Sequence, residues 1–441
     1  MEKAVGLSHL FMTVFLYCFA NFMVVPAITD VTMAALCPGK DECSLAIYLT
    51  GAQQAIIGLG SVVVMPLVGN LSDTYGRKVM LTVPMTLSIF PLVILACSRT
   101  KYYFYAYYVL KTLIAMVSEG SVQFLALAYV ADNVPESRRA AVFGIMSGFS
   151  SSSFVFGNFS TRFLSTSARL KYALACSLVA AAMSVVALLY MRVFLPESAM
   201  GSSMCAAAES RETDCLLQKA PSKKWKLFKT LPSVDDTIFL LRTSPTFSKA
   251  AVVAFFINVA DVGLYASLMY YLKAQFHFNK DQFADLMIIA GIAGSVSQLI
   301  LMPILTPLMG EEKMLSVGSC SAVLIIAWAP WVPYAAAMIS VVATFALPCL
   351  RSIASKQTGP SEQGKAQGCI TGICSFANIV SPLAFSPLTD NAPFHFPGFS
   401  IMCSGLAAMI AFVQSVMIKP PPCPAKNCSN ICSSSTAEPL V

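Results

Sequence analysis

The chain has 441 residues, 56% of them hydrophobic and only 12% charged, with a formal net charge of +7. A soluble domain carries about 25% charged residues, so this composition excludes an ordinary water-soluble globule. The positive charge is not a nucleic-acid footprint either, because its distribution follows the apolar runs.

Twelve runs read as membrane-spanning helices, near 7–29, 48–69, 79–97, 103–131, 141–164, 170–194, 248–272, 282–305, 314–331, 334–353, 366–386 and 399–418. Each approaches the roughly 20 mostly apolar residues a span needs, since lipid offers the backbone no hydrogen-bond partners. Pro330 and Pro333 crowd the junction of the ninth and tenth runs. The first run exceeds the apolar core of a secretory signal and shows no small-x-small cleavage site, so it reads as a retained helix. With the N-terminus placed in the cytosol, 20 of the 29 Lys and Arg fall on the cytosolic side and 8 on the other, with Lys111 inside a span. That asymmetry predicts an integral, multi-pass protein with both termini cytosolic.

Span one carries His9, Asn21 and Pro26. Asn21 lines a cavity or bonds a neighbouring helix, and the sequence does not choose. Cys37 and Cys43 share the following loop, as a disulfide or as two free thiols. Span two leads into a short charged turn, Gly69-Asn-Leu-Ser-Asp-Thr-Tyr-Gly-Arg-Lys-Val-Met-Leu81. Asp73 there suits a helix N-terminus, and Arg77 and Lys78 suit acids on a neighbouring helix end. The plainer reading is a charge turn that only sets topology. Tyr102 to Tyr108 read as an interfacial aromatic belt. Span four holds Lys111, Glu119 and Gln123. The last two are four apart and are expected on one helix face. A charge at mid-bilayer costs about 2.5–3.5 kcal/mol, so Glu119 is expected to face a cavity or a partner. The alternative is a structural ion pair between helices.

Span four ends in Ala128-Tyr-Val-Ala-Asp132, followed by Arg138, Arg139 and Gly144. Span five holds Ser150–Ser153, Gly157 and Asn158. The long stretch 196–247 is rich in Lys and Arg around Trp225 and Phe228, as a segment lying on an anionic membrane face or as a solvated linker. Glu212-Thr-Asp-Cys-Leu216-Leu217 within it has the form of an acidic di-leucine sorting signal, so plasma membrane and vacuolar or lysosomal-type membrane both stay open. In span seven, Asn258, Asp261 and Tyr265 share a face. Span eleven offers Gln367, Thr371 and Asn378. Cys423, Cys428 and Cys432 in the tail lack a fourth ligand for zinc.

The second half echoes the first. Tyr75-Gly-Arg-Lys-Val-Met-Leu81 is matched by Met309-Gly-Glu-Glu-Lys-Met-Leu315, and Pro135…Gly144 by Pro360…Gly368. This predicts an N-terminal six-helix half at 1–195, a cytosolic linker at 196–247, a C-terminal six-helix half at 248–418 and a cytosolic tail at 419–441.

The 69–81 turn resembles the Gly-x-x-x-Asp-Arg-x-Gly-Arg-Arg/Lys loop of the major facilitator superfamily, with Thr74 where that family usually has Arg. Ala128-Tyr-Val-Ala-Asp132 with Arg138 and Gly144 resembles its tetracycline-resistance and hippocampus-abundant-transcript branch and, more loosely, the proton-coupled folate transporter. Phe276-His-Phe and Leu195-Pro-Glu-Ser198 resemble the same branch. The resemblance implies an all-α membrane protein with twelve transmembrane helices in two six-helix halves. It implies a latch of Asp73, Arg77, Lys78, Asp132, Arg138 and Arg139 at the cytosolic face. Span five departs from the pattern: of the family's antiporter Gly-Pro core only Gly157 remains.

The expected function is a secondary active transporter of a small organic solute by alternating access, with proton coupling. Asn21, Lys111, Glu119, Gln123, Asn258 and Asp261 are the candidate substrate or proton residues. A drug or metabolite efflux antiporter, and a receptor or scaffold that kept the fold, remain alternatives. The partners expected are the solute, protons and the lipid bilayer, with no nucleic acid and no required oligomer. No phosphate-binding Gly-x-x-x-x-Gly-Lys-Ser/Thr is present, and the three His are scattered, so neither an ATP-driven pump nor an enzyme is expected, and no cofactor or metal.

Overall fold

A computed structural model describes residues 2–37, 44–97, 101–163, 169–197, 240–278, 280–321, 331–390 and 399–418. The expected sorting signal, most of the linker, the tail and Cys43 lie outside the described residues. Cys37 is disulfide-bonded.

The described residues form helices in series. They are α1 (Glu2–Leu36), α2 (Ser44–Tyr75), α3 (Arg77–Cys97), α4 (Lys101–Ser118), α5 (Ser121–Asn133), α6 (Glu136–Phe163) and α7 (Arg169–Phe194). After the linker come α8 (Pro245–Phe276), α9 (Lys280–Val296), α10 (Met302–Met309), α11 (Glu311–Ser321), α12 (Val332–Ile339), α13 (Ala346–Lys356), α14 (Gln363–Asp390) and α15 (Phe399–Val416). Among the described residues, 11 helical stretches are long and apolar enough to cross a bilayer. The ninth expected run, 314–331, is described only as far as Ser321, in α11.

Three expected spans are not uniform helices. Span four breaks between α4 and α5. Span eight joins α9 to α10 through a π-helical turn, Ser297–Leu301, and span ten joins α12 to α13 through a 3-10 stretch, Ser340–Phe345. The two distorted stretches meet: Ser297 donates to the Val341 carbonyl at 2.8 Å and Gln298 to that of Thr344 at 3.3 Å.

The chain stays helical because a membrane helix satisfies its own backbone. Many of its small polar residues bond back one turn and so satisfy themselves within their own helix. Thr13 donates to the His9 carbonyl at 2.8 Å, and Thr82 to that of Lys78 at 2.8 Å. Leu59, Leu308 and Leu383 are 67%, 75% and 70% exposed, which fits a lipid-facing exterior. One buried cluster joins Leu10, Met65, Leu81, Phe124, Phe143 and Leu195 from the first six spans. Another joins Phe247, Met314, Leu350 and Ile370 from the last six, with Ala140 reaching into it from α6.

The two halves touch along α2 with α14, and along α6 with the π turn and α10. Glycine sets the first contact. A β-carbon on Gly368 would lie 2.6 Å from the Met65 carbonyl, and Gly69 faces Gly364 as closely. Across the second, Ser151 donates to Gln298 Oε1 at 2.9 Å, and Gly148 admits Leu299.

Candidate functional site

The 69–81 turn forms because Gly76 takes φ 90°, which ends α2 and lets α3 begin at Arg77. Asp73 then meets the first turn of α14. Its Oδ1 accepts from the Gly364 amide at 2.9 Å and its Oδ2 from the Lys365 amide at 2.8 Å. A helix N-terminus leaves such amides without intrahelical acceptors and favours a negative charge. Arg77 is buried, pairs with Asp73, and donates from Nε to Asp132 Oδ2 at 2.8 Å.

Arg139, also buried, donates to Ser355 Oγ at 2.9 Å and to the Ala131 carbonyl at 3.0 Å. Ser355 in turn bonds Gln363, whose Nε2 donates to the Ser355 carbonyl at 3.0 Å. Three of the six expected latch residues, Asp73, Arg77 and Asp132, therefore meet, and Arg139 lies beside them, bonded to the carbonyl of the residue before Asp132. Lys78 and Arg138 do not join them: the Lys78 amide donates to Glu197 Oε1 at 3.2 Å, and the Arg138 side chain is exposed. Neither side chain has a hydrogen-bond or ion-pair partner among the described residues.

The second half repeats this turn with the charges exchanged. Gly310 takes φ 81°, as Gly76 does, and begins α11 at Glu311. Glu311 pairs with Lys356, at the end of span ten, at 3.0 Å, as Arg77 pairs with Asp132 at the end of span four. Burial pushes the Glu311 carboxyl above its ordinary value, while Lys356 pulls it down. The sequence reading noted the matching glycines and expected an acid for Arg77 on a neighbouring helix end, but missed the Glu311–Lys356 pair, whose residues lie 45 positions apart.

The mid-membrane residues fall into two groups. In span four the helix breaks at Glu119 and Gly120, with Gly120 at φ 84°. Glu119, Gly120 and Gln123 are exposed. The break changes the expected reason for pairing Glu119 with Gln123: they lie on either side of an interruption, not on one continuous helix face. The Glu119 carboxylate lies within electrostatic range of Tyr17, which also interacts with Ser88 and Asn21. Asn21 itself donates to the Tyr17 carbonyl at 2.8 Å. Glu119, Gln123 and the half-buried Lys111 have no side-chain hydrogen bond or ion pair among the described residues.

The other group belongs to spans seven, ten and eleven. Asn258 donates to the Ala254 carbonyl at 2.9 Å and to Cys374 Sγ at 3.1 Å. Asp261 borders a cavity of about 20 Å³, with room for one water, against Gly318, Ser319, Ala343 and Ala408. Its carboxylate has no hydrogen bond or ion pair among the described residues. Asn378 and Tyr265 are exposed.

Arg351 is the residue sequence reasoning missed. It is 9% exposed, and its Nη1 donates to Gln367 Oε1 at 3.3 Å and Thr371 Oγ1 at 3.2 Å. No carboxylate pairs with it among the described residues. A buried guanidinium with no carboxylate partner is costly in a span, up to about 2.5–3.5 kcal/mol at its centre and less toward its end, where Arg351 lies. The signal is present in the sequence: Arg351 falls inside the run 334–353, two residues from its end.

The model of the Major Facilitator Superfamily matches residues 10–382 and 251–427. The human hippocampus abundant transcript-like protein 1 is 26% identical over 351 residues, 76% of this chain and 63% of that protein, so the chain spans less than two thirds of the relative's length. Two solved structures share the fold. The human organic anion transporter MFSD10 (TETRAN) superposes with a TM-score of 0.72 at 18% identity, covering 94% of this chain and 99% of its own. The E. coli fucose:proton symporter FucP superposes with a TM-score of 0.70 at 12% identity, covering 96% and 100%. The all-α fold, the two halves and the family model agree: this chain is a member of the Major Facilitator Superfamily, a family of transporters.

Proposed function

We propose that the chain is a secondary active transporter of a small organic solute, working by alternating access between halves at 1–195 and 248–418, with 196–247 as linker and 419–441 as tail. One observation carries this reading. Glu119 and Asp261 sit in mid-span with no hydrogen-bonding or ion-pairing partner among the described residues, while one face of the molecule is held shut by Asp73, Arg77, Asp132 and Arg139. Unpaired acids inside a membrane are costly, and binding a proton relieves the cost. Release of the latch would let α2 and α14 part and turn the site to the other side.

A proton-coupled cycle needs an acid whose protonation differs between the two states, and Glu119 and Asp261 are the two candidates. Fucose:proton symport and organic anion transport by structural neighbours are compatible with this reading. The positive-inside pattern supports placing the latch and both termini in the cytosol.

The test uses purified protein in liposomes with a pH dye inside and a panel of organic anions, cations and neutral solutes outside. Glu119→Gln and Asp261→Asn serve as paired variants. A solute that moves protons in the wild type but not in one variant establishes coupling and identifies the acid. The sign of the pH change separates symport from antiport. Radiolabelled solute crossing without proton movement would refute coupling and make both acids structural.

A further inference from the structure

We propose that Arg351 holds the anionic group of the transported solute, a monocarboxylate, beside the break in span four. This rests on the transporter reading and adds to it the substrate class and the residue that selects it.

Three observations meet at this point. First, Arg351 uses only Nη1 for its two protein hydrogen bonds. Its Nε and Nη2 have no acceptor among the described residues and are not among the buried atoms sealed off without a partner. That free edge carries the two parallel N–H groups that grip a carboxylate in bidentate fashion. Second, the guanidinium is nine-tenths buried in a span and pairs with no carboxylate among the described residues, although Asp261 lies within electrostatic range of the same Cys374 that Arg351 approaches. Third, Arg351 is one residue away from the break. Thr371 accepts from it at 3.2 Å, and the Thr371 methyl stands 3.3 Å from where a β-carbon on Gly120 would lie.

Gly120 ends one helix and starts another, so the amides of Ser121, Val122 and Gln123 begin α5 without an intrahelical acceptor. A helix start inside a membrane favours negative charge, as does an unpaired arginine. The first belongs to the N-terminal half and the second to the C-terminal half. An anion held between them would touch both halves and feel their relative motion. One guanidinium balances one negative charge. The nearby acids Glu119 and Asp261 disfavour a dianion, so the ligand class is a monocarboxylate rather than a phosphate.

The test measures binding to the full chain in detergent micelles. The probes are a set of aromatic and aliphatic monocarboxylates, each paired with its uncharged amide, and inorganic phosphate. At least one carboxylate is expected to bind while its amide does not. Arg351→Gln is expected to weaken that binding about thirtyfold or more, and Arg351→Lys, which keeps charge but not the fork, by less. A second measurement needs no variant: phenylglyoxal modification of Arg351 in the wild type, read by mass spectrometry, is expected to be blocked by the carboxylate and not by the amide. Unchanged carboxylate binding in Arg351→Gln would overturn the proposal, as would modification indifferent to the ligand or absent without it. Tight phosphate binding would overturn the monocarboxylate class. Binding and transport of neutral or cationic solutes alone would sink the anion site and leave the transporter reading standing. If no solute binds or crosses, both fall together.

Discussion

Replacing Asp73 by Asn tests the latch at its most exposed dependency. The Gly364 and Lys365 amides belong to the first turn of α14, where no helical carbonyl reaches them. Asp73 satisfies both, at 2.9 and 2.8 Å, one from each carboxylate oxygen. Asparagine keeps one acceptor, places an NH₂ where the other oxygen stood, and removes the charge that faces the helix start and Arg77. A hydrogen bond to a charged group contributes about 1.5–3 kcal/mol. The attraction of a negative charge to a helix N-terminus adds about 0.3–1 kcal/mol. Loss of about 3 kcal/mol shifts the closed–open balance roughly a hundredfold, at 1.4 kcal/mol per factor of ten. Hydrogen exchange followed by mass spectrometry on the peptide spanning 360–368 reads those amides directly, in the full chain in micelles. Exchange there is expected to rise by about that factor, with distant peptides in α9 and α15 unchanged. A folded Asp73→Asn protein whose 360–368 peptide exchanges at the wild-type rate would refute the latch as drawn.

Three further outcomes follow from the same geometry. Gly368→Ala puts a β-carbon 2.6 Å from the Met65 carbonyl and is expected to cost about 1–3 kcal/mol by prising α2 from α14, read as a lower melting temperature and faster exchange at 360–368. Gly51→Ala, with nothing within 4 Å, is the matched control, and equal effects of the two would show that backbone approach is not the cause. Gly120→Ala forces an L side chain into φ 84° and is expected to destabilise by about 1–2 kcal/mol, and a melting temperature equal to wild type would mean the break is not strained toward glycine. Glu311 has a folded-state pKa raised by burial, so its contribution to stability is fully present below the ordinary value of 4.5 and is lost as pH rises from there toward the folded-state value. The wild type is therefore expected to lose melting temperature relative to Glu311→Gln as pH rises through that window, and parallel pH profiles would count against it.

Hydropathy alone announced most of this molecule, because lipid allows a spanning chain almost no structure but a helix. The apolar runs, the charged turn and the matching glycines Gly76 and Gly310 are local properties, and the sequence displays them locally. Asp73, Arg77, Asp132 and Arg139 are singled out as one cluster through the family resemblance, and the residues alone give only the charged turn with its acid and basic pair. What the sequence withheld was which charge meets which. Lys78 stands beside Arg77 yet takes no part in the latch, because successive helical residues point about 100° apart and only one faces the neighbouring span. Ser355 and Gln363 join it because α13 and α14 pack there, and Glu311 meets Lys356 because α11 packs on α13. The break at Gly120 hides in an otherwise apolar run, and a glycine in a helix looks the same on paper whether it continues the turn or ends it. Arg351 sits a few residues inside the end of its run, where one-dimensional counting assigns it to water. Only the packing of α13 against α14 turns it inward: Arg351, Ser352 and Ser355 are polar yet buried, the reverse of what a water-facing helix end would show.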